Sequence, residues 1–176
     1  MHFCTFPRTE PPSSFVTSVM DTFRNHEKEI GTASLDKGLS SDRVMAILRT
    51  DLEALGFKLE ADKTASGKLK RPVFFGEDGR PSRQYEIDGY HPEWRCGIEI
   101  EAGRAWMGNA VYRDLIQALV MVELEHLILA VPLGYRYLNS GKPVISRDYE
   151  NTTSVADALY SHTRIKMPYR LTLIGY

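Results

Sequence analysis

The sequence contains few cysteines and no long hydrophobic run, and its charges almost cancel. Cys4 and Cys96 are its two cysteines and form no CxxC pair, so neither a disulfide framework nor a zinc knuckle is indicated. The N-terminal residues lack the basic start and apolar run of a secretory signal. The most apolar stretch, 118–132, is interrupted by two glutamates and a histidine and is too short to cross a bilayer. We therefore expect a cytoplasmic protein that does not enter a membrane.

The composition is that of an ordinary globular protein. The chain of 176 residues carries 22 Lys+Arg against 23 Asp+Glu, a net charge of −1, which excludes a polycationic nucleic-acid coat but leaves room for a local basic patch. Hydrophobic residues make up 43%, so the chain can bury a core and is not disordered.

Hydrophobic periodicity predicts an α/β fold, with a central mixed sheet flanked by helices. We expect two parts: an N-terminal arm and helix over 1–40, and a single α/β domain over 41–176. The arm is the Pro-rich segment 1–12. The further predicted elements are, in chain order, a helix over 13–30, a helix over 40–56, short strands near 57–60 and 72–75, a hairpin of 84–91 with 94–102, a helix over 109–125, a strand over 126–131, a helix over 154–162 and a strand over 169–174.

Acidic residues gather on one face of the predicted hairpin. Alternation along 94–102 points the apolar side chains to one face and Glu99 and Glu101 to the other. Asp88 on the preceding strand can join them. Such a cluster repels itself, and a hard divalent cation such as Mg²⁺ would relieve the repulsion. An ordinary half-solvated antiparallel strand gives the same alternation without a metal, so both interpretations stay open.

The spacing of these acids resembles a known family. Asp88, ten intervening residues and Glu99-Ile100-Glu101 are followed by a helix and the apolar strand HLILAVP. This pattern is similar to the PD-(D/E)xK phosphodiesterase superfamily, whose fold is restriction-endonuclease-like. Glu101 stands where that family has Lys, as a Glu does in BamHI-like restriction enzymes and a Gln in BglII-like ones. The resemblance covers about residues 41–132.

The resemblance implies a Mg- or Mn-dependent endonuclease that acts on DNA. Asp88 and Glu99 would hold the metal with the Ile100 carbonyl, and Glu101 would help to activate the attacking water. It also implies a metal-holding acid on the first core helix. Asp51 lies inside that helix's apolar stripe and is preferred to Glu53, which lies opposite.

Several basic and polar residues are candidates for contacts with nucleic acid. Arg104, Asn109 and Arg113 follow the acids and can reach phosphates, although each can equally be a surface or capping residue. The segment 63–83 carries six basic residues against two acidic ones, so it can follow a phosphate backbone or form a solvated hairpin. From this segment we select Lys68, Lys70 and Arg71. Gln117 on the long helix is a further candidate for the site.

Other functions remain open at this point. The leading alternative is a catalytically inactive module of the same fold that binds nucleic acid or protein, which the absence of the motif Lys favours. A glycosidase is disfavoured because Glu99 and Glu101 lie on one strand and cannot flank a sugar bond. A protein-interaction domain without a site is the last alternative. The chain can also form a homodimer if Phe15, Val19 and Phe23 make an interface, or these residues can pack within the chain.

Overall fold

The computed structural model describes residues 1–33, 38–62, 64–103, 105–106 and 108–176. The predicted α/β class is confirmed, since a six-stranded mixed sheet lies between two layers of helices. The elements are β1 (His2–Phe6), α1 (Ser14–Asn25), α2 (Glu27–Ile30), α3 (Ser41–Ala54), β2 (Lys58–Leu59), β3 (Leu69–Phe75), β4 (Pro81–Ile87), β5 (Gly89–His91), β6 (Cys96–Ile100), α4 (Ala110–Val120), β7 (His126–Val131), β8 (Tyr135–Asn139), β9 (Lys142–Ser146), α5 (Asp148–Ser161) and β10 (Arg170–Gly175).

The sheet has the strand order β1-β10-β7-β6-β5-β2. Its three central strands, β10, β7 and β6, are parallel, and the strands at both sides pair antiparallel. Helices α4 and α5 lie in the connections between the parallel strands, as such crossovers require. Two further hairpins, β3–β4 and β8–β9, form small sheets of their own.

Both faces of the central sheet are buried. In β7, Ile128 and Ala130 belong to the core cluster with α1 and α3, whereas Leu127, Leu129 and Val131 belong to the cluster with α4 and α5. This explains the nearly continuous apolar sequence of the strand, because a parallel strand covered on two sides has no solvated face. The interpretation of 94–102 as a half-solvated strand is wrong for the same reason, since all five residues of β6 are buried.

The N-terminal region belongs to the same core. The predicted arm over 1–12 is wrong for residues 2–6, which form β1 and pair antiparallel with β10. The Ser13 side chain caps α1 by accepting a hydrogen bond from the Val16 amide. Phe15, Val19 and Phe23 are buried against α3 and the sheet, so they pack within the chain rather than forming a dimer interface.

The predicted strand 84–91 is two strands in different sheets. Its first part belongs to β4, which pairs with β3, and its last three residues are β5, which pairs with β6. Asp88 lies at the break between them. The chain therefore changes direction at the acid that the sequence analysis singled out, and this break positions the candidate site.

Three other predictions differ from the structure. The helix α4 ends at Val120 rather than near residue 125. The hairpin β8–β9 was not expected, and α5 begins at Asp148, six residues before the predicted start. In the part of the chain that the structure describes, no helix combines the length and the apolar character that crossing a membrane requires.

Candidate functional site

An acidic groove lies beside the ends of β4 and β6. We define it by Asp88, Glu99, Glu101 and Asp114, whose side chains line a space of about 580 Å³. The strand β4 forms one wall and α4 the opposite one. The structure thus brings together the three acids predicted from the sequence and adds a fourth.

Asp88 and Glu99 are linked across the β5–β6 pair. The Ile100 amide donates a hydrogen bond to Asp88 Oδ2 at 2.9 Å, and the Asp88 amide donates to the Glu99 carboxylate. Asp88 follows Ile87 where β4 ends, so its carboxylate can turn back along β6. The two acids are therefore held by backbone groups, which fixes them more firmly than side-chain contacts alone would.

Glu101 and Asp114 share one cation. Arg113 donates to Glu101 Oε1 at 2.7 Å and to Asp114 Oδ1 at 2.9 Å. The Tyr176 hydroxyl donates to the Glu101 carbonyl at 2.6 Å and holds that backbone in place. The second carboxylate oxygen of Asp114, Oδ2, is buried and accepts no hydrogen bond. A buried oxygen without a partner is costly unless a proton or a cation joins it.

Burial and crowding change the acidity of the groove. Burial, together with the charges of Asp88, Asp114 and Glu101, raises the pKa of Glu99 well above its ordinary value. Burial also raises the pKa of Glu101, against the opposing effect of its contacts with Asp114 and Arg113. Burial and the neighbouring Glu101 raise the pKa of Asp114 to about 8. The groove therefore holds protons at neutral pH that a second cation could replace.

The rim of the groove carries an ammonium group and two more acids. Lys68 Nζ lies 3.0 Å from Glu60 Oε2 and 3.6 Å from Glu86 Oε2. Glu60 is 7% exposed and directly follows β2. Gln117 of α4 also lines the groove, as the sequence analysis expected. A cation and an amide donor thus stand beside the acids, where a phosphate could meet them.

The helix acids do not reach this groove. Asp51 Oδ2 lies 3.0 Å from His26 Nε2, and Glu53 pairs with Arg49 at 3.1 Å. The prediction that Asp51 joins the metal ligands is not supported, because the apolar stripe of α3 packs against α1 and carries Asp51 to the α1–α2 side. The first turn of α3, at Ser41, is the part that touches the groove.

The predicted nucleic-acid contacts have different surroundings. Arg104 lies outside the described residues, as does Lys63 of the basic segment. Asn109 is exposed at the start of α4 with φ of 58° and makes no side-chain capping bond. Arg113 holds the acids Glu101 and Asp114, so it is not free to contact phosphate while it does so.

The three residues chosen from the basic segment lie in different environments. Lys68 is paired at the groove rim, and Lys70 is exposed on β3. Arg71 pairs with Glu123 and lies 4.1 Å above the Tyr90 ring. Arg71 therefore anchors the β3–β4 hairpin to the protein body, and of these three only Lys70 is an exposed cation.

The oxygen ligands of the groove suit a hard divalent cation, although these side chains lie too far apart to coordinate one as they stand. The groove offers carboxylate oxygens and carbonyls, the donors that Mg²⁺ and Mn²⁺ take, and Asp114 Oδ2 accepts no hydrogen bond among the described residues. Within the described residues, no three His, Cys, Asp or Glu side chains lie close enough together to hold a metal ion as they stand. The Arg113 guanidinium meanwhile supplies positive charge to Glu101 and Asp114.

Sequence reasoning missed Asp114 and Glu60. Asp114 is 3% exposed and lies between the apolar positions Val111 and Leu115 of α4. An acid on the buried face of an amphipathic helix was a readable signal. The sequence carries no comparable signal for Glu60, because this residue follows a strand of only two residues and is buried through its contact with Lys68.

Comparison with known proteins gives no family for this chain. No protein-family model matches it, and a search of the curated proteins finds no significant similarity. The functional argument therefore depends on the chemistry of the acidic groove.

Proposed function

We propose that the protein is a Mg²⁺- or Mn²⁺-dependent phosphodiesterase, an endonuclease that acts on DNA in the cytoplasm. The resemblance of Asp88 and Glu99-Ile100-Glu101 to the PD-(D/E)xK pattern suggests this function. One observation carries it: Glu99, 8% exposed, is buried beside the carboxylates of Asp88, Glu101 and Asp114, which raise its pKa. Such an arrangement lowers stability and is expected where a site needs it for binding or catalysis.

The proposed roles follow from the positions in the groove. Asp88 and Glu99 would hold the metal with the Ile100 carbonyl, and a bound Mg²⁺ would polarise the phosphoryl oxygen and activate water. Glu101 would orient or deprotonate that water in place of the motif lysine. Lys68 at the rim would meet the phosphate. The two reduced cysteines, Cys4 and Cys96, support a cytoplasmic location, where thiols stay reduced.

The test is cleavage of plasmid DNA with Mg²⁺ or Mn²⁺. We expect Asp88→Ala and Glu99→Ala to abolish cleavage, a loss of at least about 10³-fold if metal binding fails. Asp51→Ala is the matched control, because it removes a carboxylate that pairs with His26 outside the groove, and it should retain cleavage. Glu99→Gln checks folding: it should be at least as stable as the wild type at neutral pH, since glutamine is uncharged and avoids the cost of burying or protonating a carboxylate.

A second candidate is the inactive binding module of the same fold. Glu101 is engaged by Arg113, and position 101 carries no lysine, which favours this alternative. If DNA stays intact with every divalent metal while it still binds, the module is the function and the endonuclease is excluded. If Asp88→Ala cleaves like the wild type, the proposed roles are wrong.

A further inference from the structure

Two phenylalanines are exposed at the end of the β3–β4 hairpin. Phe74 is 65% exposed and Phe75 52% exposed. The base of the same hairpin is firmly attached, since Val73 is 4% exposed, the Val122 amide donates to the Pro72 carbonyl, and Arg71 pairs with Glu123. We call Phe74 and Phe75 the aromatic tip. The tip projects from a fixed base, so its exposure is a property of the fold.

The aromatic tip is connected to the acidic groove through β4. Phe74 lies opposite Arg83 in the β3–β4 pairing, whose register shifts on either side of Phe74, so the two side chains are cross-strand neighbours. Arg83 also lines the groove. Five residues separate Arg83 from Asp88, which at the rise of a strand is roughly 17 Å, or about five steps of a stacked nucleic-acid strand. A polymer held at the acids therefore reaches the tip within a few nucleotides.

An exposed arginine lies beside the aromatic tip. Lys70 and Arg83 are exposed and have no ion-pair partner among the described residues. By contrast Arg80, near the turn, pairs with Asp78 at 3.4 Å. Arg83 lies opposite Phe74, whereas Lys70 lies nearer the groove, opposite Glu86. An unpaired arginine next to exposed rings is a combination that binds single-stranded nucleic acid: the cation contacts the backbone, and the rings stack on bases.

We propose that the aromatic tip binds unpaired bases, so that the DNA that the acidic groove acts on is single-stranded or has a single-stranded segment. The inference rests on the proposed function for the groove and names its substrate class. Unpaired bases are favoured over a duplex because both faces of a paired base are already covered by its neighbours in the stack. A ring can enter a duplex only by unstacking it, at a cost of a few kcal/mol.

The test measures binding separately from cleavage. Fluorescence anisotropy with labelled dodecathymidylate, in buffer containing EDTA, compares the wild type with Phe74→Ala/Phe75→Ala. Loss of the two stacking contacts should weaken binding at least about 30-fold. Binding to the matching duplex should change less than about twofold, and binding to a thymidine dinucleotide, which is too short to span from the groove to the tip, should not change.

The matched control is Leu138→Ala/Ile145→Ala on the hairpin β8–β9. Leu138 is 70% exposed and Ile145 58% exposed, so this variant removes similar exposed apolar surface from a hairpin that does not line the groove. It should bind the single strand like the wild type. Equal single-strand binding by the wild type and the Phe74/Phe75 variant would overturn the inference, and so would an equal loss for the duplex or for the control.

This result is independent of catalysis. If DNA is never cleaved but the single strand binds through the tip, the inference about unpaired bases holds for the binding module and the endonuclease fails. If DNA is cleaved while the Phe74/Phe75 variant binds the single strand unchanged, the endonuclease holds and the tip has another partner, such as a protein.

Discussion

The acidic groove and the outer surface of α3 both carry carboxylates, but these differ in exposure to solvent and in neutralisation by nearby cations. On α3, Asp51 is 46% exposed beside His26, and Glu53 is 49% exposed beside Arg49. In the groove, Asp114 has a side chain that is 1% exposed and an oxygen that accepts no hydrogen bond. The acids on α3 are solvated and locally neutralised. Those of the groove raise the energy of the folded protein, and this contrast distinguishes a structural acid from a functional one.

The sharpest test of this contrast is Asp114→Asn. The pKa of Asp114 is about 8 in the folded protein against an ordinary 3.8, so the unfolded chain ionises first as the pH rises. The stability that the protonated group contributes is complete below pH 3.8 and is lost as the pH rises through 8. Asparagine cannot ionise and avoids this loss. We expect the variant to gain on the order of a few kcal/mol at pH 8 relative to pH 4.

Urea unfolding of both proteins at the two pH values measures this difference. Asp51→Asn serves as the control, and its effect should differ by less than about 1 kcal/mol between the two pH values because Asp51 is nearly half exposed. A gain for Asp114→Asn that is the same at pH 4 and pH 8 would contradict the assignment of the proton to Asp114.

Arg113→Gln tests the next largest effect. Its removal leaves Glu101 and Asp114 without their shared guanidinium, and we expect a loss of about 1–3 kcal/mol in the free energy of unfolding at pH 8. The freed carboxylates should then bind a cation better. Added Mn²⁺ should therefore raise the melting temperature of this variant more than that of the wild type.

The control for this prediction lies on α3. Arg49→Gln breaks the pair with Glu53 but frees no acid in the groove, so its response to Mn²⁺ should match the wild type. An equal response of all three proteins would show that Arg113 does not compete with a metal.

Asp51→Asn gives the smallest expected effect. Hydrogen bonds to Glu29 and Asp51 raise the pKa of His26 above its ordinary value of 6.5. The stabilisation is therefore complete below pH 6.5 and is lost as the pH rises through the raised pKa. Because Asp51 is nearly half exposed, the variant should lose less than about 1 kcal/mol at pH 6.

The loss should become smaller as the pH rises through the raised pKa of His26, because the imidazole then becomes neutral. Thermal unfolding at pH 6 and pH 9 measures the difference, and Glu53→Gln provides a comparison without histidine. The pH dependence of Asp51→Asn comes from the titration of His26, whereas that of Asp114→Asn comes from the titration of Asp114 itself. A large effect of Asp51→Asn at pH 9 would contradict the structural role given to Asp51.

The sequence predicted the parts of the fold that depend on local periodicity. The apolar spacing of α1 and α3 and the strand β7 agree with the structure. The alternation in β6 correctly assigned Cys96 and its apolar neighbours to one core. These features depend on neighbours within a few residues, which a sequence displays directly.

The predictions that failed depend on contacts distant in sequence. Residues 2–6 look like an arm until β10 gives them a partner. The alternation of residues 84–91 is most simply interpreted as one strand. In the structure the first part pairs with β3 and the last part pairs with β6. Asp51 is inside an apolar stripe, and only the packing of α1 shows which neighbour that stripe meets.

The sequence by itself determined the α/β class and the grouping of Asp88, Glu99 and Glu101 near one hairpin, because periodicity and spacing fix local geometry. Only the tertiary structure decided which acid joins them. It brought Asp114 and Arg113 of α4 against the end of β6 and moved Asp51 to His26. The reason is that the surroundings of a carboxylate, and hence the energy of its charge, are set by segments that meet only when the chain folds.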